Sequence, residues 1–128
     1  MGVQIDRQSG LGTGGATGSG ATQTSGLLFA VIDTAVSGDN TIVAADAARK
    51  IKVMSYVVVA DAALVVRWKS GAATSLSGAM SLAANGGVAT AAAPPGSWLM
   101  ETAAAQALVL NLGAAIGARG HIAYFLEP

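Results

Sequence analysis

Residues 50–60 read Lys50-Ile51-Lys52-Val53-Met54-Ser55-Tyr56-Val57-Val58-Val59-Ala60, and this run decides the fold class. Ile51, Val53, Val57 and Val59 share one face, broken only by Ser55, while Lys50, Lys52 and Tyr56 share the other. A period of two marks a strand with one buried side, and β-branched residues pack well on such a pleated surface. The alternation recurs along the chain. Leu64, Val66 and Trp68 alternate with Val65, Arg67 and Lys69. Leu108, Leu110 and Leu112 alternate with Ala107, Val109 and Asn111, and Ile122, Tyr124 and Leu126 with His121, Ala123 and Phe125.

Working outward, the pattern predicts strands at 28–32, 41–44, 50–60, 63–69, 76–83, 88–92, 98–101, 107–112 and 121–127. Turn-formers stand between them, among them Ser37-Gly38-Asp39-Asn40, Ser70-Gly71, Asn85-Gly86-Gly87 and Pro94-Pro95-Gly96. Short runs at this spacing indicate an all-β, antiparallel sandwich or barrel over residues 27–128. Two segments, 41–49 and 101–110, carry helix-favouring residues and leave room for one short helix. Residues 9–26 hold seven Gly, four Thr and three Ser and no charge, so they have almost no apolar surface to offset the entropy of ordering. Residues 1–26 are therefore expected to form a flexible arm, with Val3 and Ile5 as a tip able to add to a sheet edge.

Composition excludes several functions. The 128 residues carry seven Lys+Arg and seven Asp+Glu, so the electrostatic case for nucleic acid or an anionic membrane is missing. No apolar run approaches the roughly 20 residues that span a bilayer, and no signal peptide is visible, so synthesis in the cytoplasm is expected. There is no Cys, hence no disulfide or thiolate chemistry. With one His and scattered acids, no metal or cofactor is expected. The formal GxGxxG at Gly10–Gly15 sits in low-complexity sequence without the strand and helix that make it a dinucleotide site.

What remains is surface. Met54, Tyr56, Val58, Val65, Val109 and Phe125 lie opposite the expected core and are apolar, which predicts burial between subunits of a homo-oligomer. Arg49, Lys50 and Lys52, with Arg67 and Lys69, form the one basic concentration. If their strands pair, Lys52, Arg67 and Lys69 share a face suited to an acidic protein surface. Trp68 and Trp98 read as core anchors.

These turns and strands also carry a resemblance. Its segments are 37–45, 50–53, Ser70-Gly71, 82–87, Gly96-Ser97-Trp98, Glu101-Thr102, 108–112 and 120–124. Across Ser37 to Tyr124 the chain resembles the small all-β virion proteins of tailed bacteriophages, the capsid decoration or cement and head-fibre type. The resemblance implies a non-enzymatic, jelly-roll-like homotrimer that sits on the outside of the virion, binds the major capsid protein and locks neighbouring capsomers. Val3, Ile5, Arg49, Lys50 and Lys52 are the expected capsid contacts. Two rivals remain: a fibre or spike module reading a host glycan or receptor near Trp98 or Tyr124, and a small hydrolase using Glu101, Asp33 or His121.

Overall fold

The computed structural model describes residues 26–128, so Val3, Ile5 and all of the expected arm except Gly26 lie outside the described residues. Ten strands follow in order: β1 (Leu28–Thr34), β2 (Gly38–Val43), β3 (Lys50–Ala60), β4 (Leu64–Ser70), β5 (Thr74–Ser75), β6 (Met80–Leu82), β7 (Gly87–Ala89), β8 (Met100–Glu101), β9 (Leu108–Leu112) and β10 (Ala118–Glu127). They form two antiparallel sheets. The longer has the order β8-β3-β10-β1, with β7 also on β3; the shorter has the order β2-β9-β4-β5, with β6 also on β4.

That connectivity is a rolled-up hairpin. β1 pairs with β10, β2 with β9, β3 with β7 and β8, and β4 with β5 and β6. Rolling then brings β10 onto β3 and β9 onto β4. The result is a jelly-roll arrangement of two sheets. Consecutive strands β3 and β4 therefore lie in different sheets, and Lys52 does not share a face with Arg67 and Lys69.

The core lies between the sheets. Ile32, Ile51, Val53, Tyr56, Val58 and Ile122 meet Val66, Trp68, Leu108, Leu110 and Leu112 across it. Tyr56 and Trp68 join the two layers edge to face, with ring centroids 5.2 Å apart and planes at 67°. The Tyr56 hydroxyl also reaches Met80 Sδ at 3.7 Å. On β10, glycine is required at 120 because a Cβ there would run into the Val57 carbonyl.

One irregularity reverses the expected faces of β3. Ser55 pairs with Ala123 and Val53 with Tyr124, so Met54 is an extra residue in the strand. A bulge of one residue moves every later side chain to the opposite face. Tyr56 and Val58 are consequently core residues, contrary to their expected place at a subunit interface, and Val57 and Val59 point outward.

Neither helix-favouring segment is helical, and no helix occurs among the described residues. After β2, Asp46 accepts the Ala48 N–H and binds Arg49, which closes a turn. After β8, Ala105 adopts a positive φ of 62°, which ends any helical path through Ala103-Ala104-Ala105. An alanine run with no apolar stripe has little to pack, and so short a helix is marginal alone.

Candidate interaction surface

The outer face of the long sheet is laid out in rows across its strands. At one end Asp33, Arg119 and Val59 are neighbours on β1, β10 and β3; next come Val31, His121 and Val57; then Phe29, Ala123 and Ser55. Phe29 is 70% exposed and Val31 76%, with Val59 and Leu27 also exposed. These residues make an apolar band interrupted by His121. The alternation of β1 sends Leu28, Ala30 and Ile32 toward the core, which leaves the bulkier Phe29 and Val31 in water. Covering those two side chains would contribute about 3 kcal/mol in transfer terms.

The far end is a different environment. The row Glu101, Lys52, Phe125 crosses β8, β3 and β10. Lys52 is only 6% exposed. Its Nζ lies 2.8 Å from Glu127 Oε1, 3.2 Å from Glu101 Oε2 and 3.4 Å from the centroid of the Trp98 ring. A buried ammonium is tolerated only with such compensation. Burial pulls its pKa down, but the bonds to Glu127 and Glu101 more than offset this and hold it above the ordinary lysine value. Trp98 comes from the segment between β7 and β8, which is tied to β3 by the Ala93 and Leu99 N–H groups donating to the Met54 and Val53 carbonyls. Beside this box runs a groove of about 550 Å³ whose walls include Met54, Pro95, Trp98 and Phe125.

The expected basic contacts are thus neutralised within the chain. Arg49 pairs with Asp46 at 2.9 Å, Lys50 with Glu101 at 3.6 Å, and Lys52 sits in its box. Arg49 holds the Asp46 carboxyl below the usual range by hydrogen bonding, and the Ala48 N–H adds to this. The six expected interface residues do not form one surface. Tyr56 and Val58 are core, Met54 and Phe125 flank the groove, and Val65 and Val109 belong to the other sheet. Phe125 and Val109 are themselves buried.

Of the three residues of the hydrolase rival, Asp33 and His121 stand in adjacent rows of the outer face, while Glu101 lies at the far end. Six β10 positions separate the Asp33 row from the Glu101 row, a span of about 20 Å along a strand. A glycosidase pair needs carboxyls within roughly 5–9.5 Å. No group of three potential metal-ligating side chains occurs among the described residues.

No family model matches this chain, and neither does any curated protein or solved structure. The surface therefore has to be read from its own chemistry. Phe29 and Val31 are the residues that the pattern reading did not single out. The alternation Phe29-Val31-Asp33 was the available signal, but alternation alone does not say which side of an edge strand faces the core.

Proposed function

We propose that this protein is a virion structural component that binds the outside of a phage capsid and locks neighbouring capsomers, acting in several copies. One observation carries the reading: a folded sandwich with its own core leaves an apolar band, broken only by His121, in water on the outer face of its long sheet. Exposed patches of this kind mark protein contacts. The jelly-roll arrangement supports it, being a framework used by capsid domains, although the same framework serves lectins. Internal neutralisation of the cations supports it too, because the face offers shape and apolar area in place of a charge field. A contact this small gains affinity by repetition over a lattice.

The test is imaging of capsids assembled with and without the chain. Added density on the outer shell at capsomer junctions is the expected result; unchanged capsids, with the protein left in solution, overturn the reading.

The groove at Trp98 favours a second reading, a spike module that binds a host glycan, since Trp98 is 40% exposed there. Against it, Lys52 already occupies one face of the ring, and among the described residues no Asn or Asp lines the groove. Retention on a glycan array, abolished by Trp98→Ala, would favour this reading over the first.

A further inference from the structure

We infer that β1 pairs antiparallel with β1 of a second copy about a two-fold axis at Ala30, joining two long sheets into one. Among the described residues β1 is the edge strand of its sheet. Edges are usually blunted by Lys, Pro, bulges or inward charges. The seven residues of β1, LFAVIDT, contain no Lys, Arg or Pro, and the β1–β10 register runs without a shift. The edge of the short sheet is managed differently. β2 is bulged against β9, and the Asn40 side chain donates to the Val36 and Gly38 carbonyls.

The choice of a second copy follows from what each register would bring together. Continuing the sheet with the same face outward requires the axis to pass through a residue, and β1 offers three central candidates. An axis at Val31 sets the Asp33 carboxylate beside the partner's Phe29 twice, which desolvates a charge against a ring. An axis at Phe29 leaves residues 32–34 overhanging. An axis at Ala30 sets Phe29 against the partner's Val31, and Leu28 against the partner's Ile32. Apolar side chains then meet on both faces along the centre of the pair, and Asp33 meets the partner's Leu27 only at its rim, just outside β1, where Arg119 Nε already holds it at 3.2 Å. No like charges oppose one another.

The joined sheet runs the Phe29 row of one copy into the partner's Val31 row, so the apolar bands of both copies become one. This contact builds pairs, in place of the threes that the resemblance to phage virion proteins implies. It stands independently of the capsid reading, and it supplies that reading with a face twice as wide.

The chain has no cysteine, which makes the register directly testable. Residues opposite each other in an antiparallel pair have Cα atoms about 4.5–5.5 Å apart, within disulfide reach. The full chain carrying Ala30→Cys should cross-link to a covalent dimer under mild oxidation, while Val65→Cys, on the other sheet, stays uncrosslinked. By sedimentation the wild type should show twice the 12.5 kDa chain mass. Val31→Lys should return it to one chain with an unchanged circular dichroism spectrum. A monomeric wild type, a trimer, an uncrosslinked Ala30→Cys or a dimeric Val31→Lys overturns the inference. Each of these leaves the capsid reading to its own imaging test.

Discussion

The two sheets share one core, yet their outer faces differ: the long one is largely apolar, while the short one sets Val65 and Val109 among polar groups. On the short sheet, β4 presents Arg67 and Lys69, β9 presents Asn111 and β2 presents Asp39. Three of these groups satisfy one another: Lys69 Nζ lies 3.0 Å from Asp39 Oδ1, and Asn111 donates to the same oxygen at 2.7 Å. The hydrogen bond from Asn111, and then that from Lys69, hold the Asp39 carboxyl below its ordinary pKa. On the long sheet, the corresponding positions are Phe29, Val31, Val57 and Val59, and the charges are moved to the two ends. A surface that must stay wet is built from polar groups that bond water or each other. A face intended for another protein keeps its apolar side chains and pushes its charges to the rim. On the function proposed above, the contrast separates a side left to solvent from a side that meets a partner.

Trp68→Ala should erase the comparison altogether. Trp68 is fully buried and its ring meets Tyr56 across the layers, so truncation is expected to cost about 3–5 kcal/mol, read as a lowered urea midpoint. Lys52→Met tests the ionic end of the long sheet. It leaves Glu101 and Glu127 without their cation, and a loss of about 2 kcal/mol is expected, below the cost for a fully buried pair because both acids retain some solvent. The folded-state pKa of Lys52 is raised, so its contribution is complete below the ordinary lysine pKa and fades as pH rises through the folded value. Thermal melts of wild type and Lys52→Met should therefore converge in strong alkali.

On the short sheet the effect should be small. Asp39→Asn removes an exposed ion pair worth no more than about 0.5 kcal/mol. Because the Asp39 pKa is lowered on folding, that difference should be present above the ordinary carboxyl pKa. It should vanish as pH falls through the folded value, as seen in acid melts. Phe29→Lys should be the least costly for stability, within about 0.5 kcal/mol of wild type, since the side chain already lies in water. Its effect belongs in association measurements. A large loss of stability there would mean that the band is part of the core, and the contrast between faces would fail.

Much of the framework was legible in the sequence because side-chain alternation and turn chemistry are local. Strands near 50–60, 64–70 and 108–112 stand close to where the pattern places them. The faces were harder. The break at Ser55 was visible, but it reads equally as one polar residue in a regular strand or as a change of phase, and only pairing with β10 distinguishes the two. The separation of Lys52 from Arg67 was hidden for another reason. The short link after Ala60 looks like a hairpin, whereas β3 and β4 cross between layers, a choice made by the global rolling of the chain. The box around Lys52 draws on Trp98, Glu101 and Glu127, three positions far apart in sequence with no local signature.

The pairing of β1 with β10 also sets a schedule for the growing polypeptide. Leu28 finds its neighbour at Tyr124. At ribosomal speed that neighbour emerges about 5–20 s after Leu28 does. Throughout that interval β1 lacks the one strand it pairs with among the described residues, and the hydrogen-bonding groups meant for β10 are open to any passing strand. Long-range closure of this kind slows folding, because the loop entropy is lost before the contacts are gained. Nascent chains stalled before β10 should therefore be clients for chaperones that shield naked strands.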